Sequence, residues 1–382
     1  MLNYNKILLT VIVLISQQLV YGQNKKGFSI SGELKGLQDN TLIMLQREKD
    51  TVGVTFVKNQ RFQFKGFADQ EGEPYFIKID TTSKKYSYQI KGAIRIIMEN
   101  KPLLLNGDLI DLSTTALTVT GSDSHDDYKG FVLLQNEILR PANSALSKMN
   151  LALEKYGANG KRKVDSLYYA DCVIEFNNAL QKVEDSKRDW INRHRNSLVV
   201  PWAIGISIGG EEREKAYAGL TQRAKDSYFG KQLLEAIETE RRNAVGAVMT
   251  NFEFQKPDGK SLSLKEVVDM SKLTIVDFWA SWCKPCRASF PKMKDLYAAY
   301  HSKGLNIISY SIDKDESAWL KALTQDNLPW LNIRQTHGMA EEIYGVNTVP
   351  SIFLLDHTGK IISNELRGEA LYKKVEELLG SK

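Results

Sequence analysis

Two cysteines three residues apart, Cys283 and Cys286, close the segment Val276-Asp277-Phe278-Trp279-Ala280-Ser281-Trp282-Cys283-Lys284-Pro285-Cys286. On the first turn of a helix that spacing puts both sulfurs on one face. Such a pair can exchange disulfides: one thiolate attacks a partner's disulfide, and the second thiol resolves the mixed disulfide. Cys283, at the helix start, meets unpaired backbone N–H groups and the positive end of the helix dipole, which favour a thiolate. The Lys284 ammonium adds to this if it folds back. Cys283 is therefore expected to be the exposed nucleophile, with a pKa lowered to about 3.5–7.5. Cys286, one turn deeper, is expected to resolve, and Pro285 fits a first turn whose N–H needs no partner. Two other readings stay open. The pair is also half of a zinc site, although Cys172 is the only other cysteine in the chain. It is also a possible structural disulfide, but so small a loop gains little from closure.

The elements around the pair must place it. Leu273 to Trp279 is a nearly continuous apolar run, which predicts a strand at the centre of a sheet covered on both faces. A helix follows through Tyr300, then a strand from Leu305 to Ile312 and a helix from Glu316 into Leu323. Upstream, Phe252 and Phe254 mark a strand before the turn Pro257-Asp258-Gly259, and Ser263 with Glu266 forms a capping box. Downstream, Ser351 to Leu355 and Lys360 to Ile362 flank the turn Asp356-His357-Thr358-Gly359, and a helix spans Glu369 to Leu379. Residues 245–382 thus read as an α/β domain with a mixed sheet.

Two blocks precede it. Residues 28–122 carry short alternating runs at Phe28, Thr41, Phe62, Tyr75, Ile94, Leu103, Leu109 and Leu117. Gly, Asn, Asp and Pro separate them, which predicts an antiparallel β-sandwich with no catalytic constellation. Residues 123–244 turn to helical period. Tyr169, Cys172, Val173, Phe176, Leu180, Val183, Trp190 and Ile191 share one face, so Cys172 reads as inert core, and a helix pair is expected to bend at Pro141. Residues 1–22 read as an export signal: Lys6, an apolar run from Ile7 to Ile15, then Val20-Tyr21-Gly22 before a cleavage point. The run is too short for a membrane span, so a cleaved signal is expected rather than an uncleaved anchor. With no cysteine following it, a lipid anchor is not expected.

Composition limits the function further. Of 382 residues, 42% are hydrophobic and 25% charged, which excludes wholesale disorder. A net charge of +5 over that length is too dilute to point to nucleic acid. Three cysteines exclude a disulfide-stapled scaffold, so each domain must bury its own core. The five histidines stand singly, without metal-ligand spacing.

Residues 245–382 resemble the thioredoxin superfamily, in its TlpA-like and ResA-like branch of envelope thiol-disulfide oxidoreductases. The likeness rests on the segment Val276 to Arg287, Leu328-Pro329-Trp330, Tyr344-Gly345-Val346, Val349-Pro350 and Asp356-His357-Thr358-Gly359-Lys360. Residues 28–128 more faintly resemble an uncharacterised β-rich domain found ahead of such domains. The resemblance implies a protein-disulfide reductase or isomerase with a redox-active Cys283–Cys286 disulfide and no cofactor. Its substrates would be cysteine-containing envelope proteins, and a membrane thiol donor would re-reduce it in the periplasm. It implies that Asp277 is a buried base for Cys286, that Pro350 is a cis-proline, and that Val349 offers its backbone to substrate beside Trp282. It also implies that Pro291 kinks the helix and that Lys284 and Pro285 tune the pair. Ser289 departs from the glutamate many ResA-like members carry there, which removes a proton-transfer candidate and argues against a haem-maturation role. Two rivals share the fold. A peroxiredoxin-type peroxidase needs a threonine where Ala280 stands, and a copper or zinc chaperone would need His337 or His357, neither in a ligand motif.

Overall fold

The computed structural model describes residues 26–80, 93–114, 116–157, 166–255, 261–334 and 339–380. The export-signal reading, the turn Pro257-Asp258-Gly259 and His337 lie outside the described residues. The chain divides into two compact units, Met1–Leu234 and Glu235–Lys382.

In the first unit, eight strands build two sheets: β1 (Phe28–Lys35), β2 (Leu42–Arg47), β3 (Asp50–Phe56), β4 (Arg61–Gly66), β5 (Pro74–Ile79), β6 (Ile94–Ile97), β7 (Pro102–Asp108) and β8 (Thr118–Thr120). The sheets run β4-β1-β7-β8 and β3-β2-β5-β6. Alternate residues such as Ile30, Ile43, Phe64, Ile77, Ile96 and Leu105 enclose one core between them. The expectation of a purely antiparallel sandwich needs correction, because β1 and β7 pair in parallel. Strands β2, β3, β5 and β6, which belong to the other sheet, intervene in sequence, and so long a crossover allows a parallel return that a hairpin forbids. The run Leu109 to Leu112 is a turn rather than a strand. The Asp108 carboxylate accepts from the Ile110 N–H at 3.0 Å, and Ile110 is 81% exposed. β3 escaped the periodicity reading because Gly53 interrupts it, where a Cβ would press 3.2 Å from the Phe64 ring.

α1 (Asp123–Gly157) and α2 (Ser166–Arg193) follow, packed along each other. The expected bend at Pro141 does not split α1. Proline removes one N–H bond and presses its ring on the carbonyl four residues back, but the helix runs on through it, packed along α2. Cys172 is buried and unpaired. α3 (Val200–Ser207), α4 (Gly210–Ala218), α5 (Gln222–Asp226) and α6 (Tyr228–Arg242) complete the helical block.

The second unit begins within α6 and continues with the antiparallel pair β9 (Glu253–Gln255) and β10 (Ser261–Ser263), then α7 (Leu264–Asp269), started by the Ser263–Glu266 capping box. There follow β11 (Leu273–Trp279), α8 (Lys284–Tyr300), β12 (Leu305–Ser311), α9 (Glu316–Asp326), β13 (Leu331–Arg334), α10 (Met339–Glu342), β14 (Ser351–Asp356), β15 (Ile361–Ser363) and α11 (Gly368–Leu379). The sheet order is β13-β12-β11-β14-β15, with β12 and β13 parallel to β11, β14 antiparallel to it and β15 antiparallel to β14. Every residue of the central strand β11 is buried. Its two faces feed two cores. Ile275 and Trp279 pack with Phe290 and Met293 of α8 and Val375 of α11, while Val276 and Phe278 pack with Val268 and Tyr344. Side chains alternate along a strand, so Asp277 shares the α8 face with Ile275 and Trp279.

Candidate active site

Cys283 is the residue that starts α8, and its sulfur accepts from the Cys286 N–H at 3.3 Å. The two cysteines are joined in a disulfide. The expectation of an exposed nucleophile needs correction, since Cys283 is 3% and Cys286 1% exposed. Both cysteines pack among Ala280, Trp279 and Phe290, and such tertiary shelter is invisible in a local motif. The open side chain at this corner is the indole of Trp282, 66% exposed, with Lys284 and Pro285 exposed on the first helical turn. Pro291 lies inside α8. Ser289, in place of the glutamate, turns its hydroxyl to the Cys286 carbonyl at 2.7 Å.

The loop that delivers Cys283 is clamped from β12. The Asp313 carboxylate, buried, accepts from the Ser281 N–H at 2.7 Å, the Ser281 hydroxyl at 2.7 Å and the Ser311 hydroxyl at 2.8 Å. Arg287 pairs with both oxygens of Asp326 at 2.8 and 3.0 Å and reaches the Ser281 carbonyl at 3.4 Å. Asp313 and Asp326 escaped the sequence reading, which gave Arg287 only as the end of the matching segment, because Ser281 and Asp313 are 32 residues apart and only the β11–β12 pairing joins them. Asp313→Ala leaves three donors without their acceptor, the Ser311 hydroxyl fully buried and the two of Ser281 partly so. We expect a loss of about 2–4 kcal/mol in urea unfolding, together with slower alkylation of reduced Cys283. Unchanged alkylation would show that the clamp does not place the thiol.

Beneath α8, Asp277 is fully enclosed, and desolvation pushes its pKa up to about 7. A hydrogen bond from the Ser309 hydroxyl, 3.4 Å from Oδ2, acts in the opposite direction. Tyr372 of α11 packs in the same core, and burial, with Asp277 among the smaller causes, raises its pKa. Phe278 pairs with Ser351, so Pro350 and Val349 lie across from Trp279 and Ala280, where the redox loop leaves the sheet. The Val349–Pro350 peptide is cis. Neither the N–H nor the C=O of Val349 bonds to a described residue.

A family model described as the AhpC/TSA family matches residues 245–363. Another, described as a domain of unknown function (DUF4369), matches residues 28–128. The thiol-disulfide oxidoreductase ResA of Bacillus thuringiensis subsp. konkukian is 33% identical over 140 residues, covering 37% of this chain and 79% of that protein.

This chain belongs to the thiol-disulfide oxidoreductases.

ResA of Bacillus anthracis is 30% identical over 135 residues, 35% of this chain and 76% of its own. Among solved structures, the thioredoxin domain of a thiol-disulfide oxidoreductase from Bacteroides vulgatus is 33% identical, covering 36% of this chain and 98% of that one at a TM-score of 0.34. As a thiol-disulfide oxidoreductase, the chain carries its redox pair on an α/β domain with a mixed sheet, behind a β-rich region and a set of helices. In the place where a peroxidase would need threonine, Ala280 is buried and its carbonyl accepts from the Cys283 N–H at 3.0 Å. Among the described residues no cluster of His, Cys, Asp and Glu is arranged to hold a metal ion, and His357 is exposed in its turn.

Proposed function

We propose that the protein is exported and reduces or isomerises disulfides in other proteins of the cell envelope. The observation that carries this reading is the Cys283–Cys286 disulfide at the start of α8, on the same face of the sheet as buried Asp277. In the reduced protein, the Cys283 thiolate attacks a substrate disulfide, forming one S–S bond and releasing one substrate thiolate. Ionised Asp277 then takes the proton of Cys286, directly or through water. The Cys286 thiolate displaces the second substrate sulfur from Cys283, which leaves the substrate reduced and the pair oxidised. The backbone N–H and C=O of Val349, bonded to no described residue, suit an extended substrate segment, which would add like a single strand beside Trp282. Each turnover as a reductase consumes two electrons, so a membrane thiol donor outside the cytoplasm is the partner that restores the pair. The apolar run Ile7 to Ile15 supports export to the periplasm, with cleavage after Gly22.

The test is reduction of a protein disulfide by the purified chain in the presence of excess small thiol. The full chain should accelerate it, and Cys283→Ser should reduce the rate to that of the thiol alone. A Cys283→Ser variant that keeps its rate would refute the reading, and so would one metal ion per chain retained through purification with no reductase activity.

A further inference from the structure

Asp277 makes no ion pair with a described residue, although it lies in the interior of the sheet. The polar side chain that meets it is Ser309 of β12, itself fully buried and its register partner across the parallel pair. Ser309 is held in turn. The buried Trp330 indole donates from Nε1 to the Ser309 hydroxyl at 2.8 Å. Trp330 stands one residue before β13, whose Leu331 pairs with Ile308, and the Tyr297 ring packs edge-on at 5.5 Å. A hydroxyl has one hydrogen and two lone pairs. With the indole N–H taking a lone pair, the Ser309 hydrogen is left for Asp277 Oδ2.

We propose that Ser309, oriented by Trp330, is a positioning residue that holds its hydrogen on the Asp277 carboxylate and so sets the pH above which Asp277 can accept the Cys286 proton. The proposal rests on the reading of Asp277 as base. A hydrogen bond given to the ionised form favours that form, against the burial that disfavours it. Without it, Asp277 stays protonated to higher pH, and a protonated carboxyl takes no proton from a thiol. The groups facing Asp277 are few. Ser309 of β12 bonds it, apolar Ile352 of β14 is its register partner and Tyr372 of α11 interacts with it electrostatically, while Cys286 of α8 belongs to the core that α8 packs on this side of the sheet. In the oxidised protein Cys286 does not titrate, and Tyr372 has its pKa raised from an already alkaline value. Tyr372, whose pKa the Asp277 charge helps to raise, therefore stays uncharged over the range in which burial moves the Asp277 titration up to about 7.

The test is a carbon-13 NMR titration of the Asp277 carboxyl in the oxidised full-length protein. Ser309→Ala should raise the midpoint by up to ~1 pH unit. Trp330→Phe, which keeps the ring but loses the donor, should raise it by less. The double variant should match Ser309→Ala alone, because the tryptophan acts through the serine. Ser309→Thr, which restores the hydroxyl, should bring the midpoint back. A midpoint that Ser309→Ala leaves in place or lowers overturns the proposal, and so do shifts that add fully in the double variant. Should Ser309→Ala fail to fold, Trp330→Phe carries the same test. In the reduced protein, a one-unit rise in pKa should slow resolution about fivefold near pH ~7 and leave it unchanged near pH ~9. Equal slowing at both would indicate a merely structural role and overturn the proposal. If Asp277→Asn resolves at the native rate, the base reading fails, while the NMR midpoint still reports on the Ser309 contact.

Discussion

Cys286→Ser will accumulate as a covalent adduct with its protein substrates, and Cys283→Ser will not. The first variant keeps the thiol at the start of α8, where the helix N-terminus and the Cys286 N–H contact favour the thiolate, so attack proceeds. It loses the group that would expel the substrate sulfur, and a serine hydroxyl does not replace a thiolate in that step. The third cysteine offers no escape, because Cys172 is buried in the other compact unit. The adduct should survive non-reducing electrophoresis and vanish with reductant. Mass spectrometry of the trapped chains would identify the substrate class. Adducts on Cys283→Ser instead would reverse the assignment of attacking and resolving thiols.

The shelter of Cys283 bears on what is trapped. Cys283, a residue 3% exposed in the disulfide form, is reached only by a partner that fits the corner where Trp282 and Ala280 lie across from Val349. An extended, flexible segment meets that requirement better than a disulfide held on a flat, folded surface. Adducts are therefore expected to form with unfolded or partly folded substrates in preference to native ones.

The chemistry was legible in sequence because it is local. Strand β11, the cysteine pair and the start of α8 occupy consecutive residues, and an unbroken apolar run next to a Cys-x-x-Cys leaves few alternatives. The capping box at Ser263 and Glu266 was legible for the same reason, with both partners three residues apart. What supports the site was not. Asp313 reaches back 32 residues to Ser281, Trp330 reaches 21 to Ser309, and neither contact leaves a trace in periodicity. The parallel pairing of β1 with β7 depends on strands that leave for the second sheet and return. The burial of Cys283 depends on Phe290 and Trp279 closing over it, which only packing decides.

Asp277→Asn should yield a protein that is both slower and, at alkaline pH, more stable. The carboxyl ionises near 3.8 in the unfolded chain and at about 7 when folded, because burial disfavours its charge. The folded state thus binds the extra proton between those values. Its stabilising contribution is complete below the unfolded pKa and is lost as pH rises through about 7. Each tenfold change in proton affinity is worth about 1.4 kcal/mol, so ionised Asp277 costs on the order of 4 kcal/mol above neutral pH. Asparagine keeps the shape and carries no charge. Urea unfolding at pH ~8 should therefore show the variant stabilised by several kcal/mol, and at pH ~4 the two proteins should be nearly equal. The same substitution removes the base for Cys286, so resolution of the mixed disulfide should slow by roughly 10²–10⁴-fold. Attack by Cys283 should change far less, since the start of α8 is untouched. Stopped-flow measurement of the two steps separates them. Equal slowing of both would remove Asp277 from the proton transfer, and an Asn variant no more stable at high pH would show that the buried carboxylate is solvated at little cost. Slower catalysis with greater stability is what a carboxylate buried for proton transfer, rather than for packing, requires.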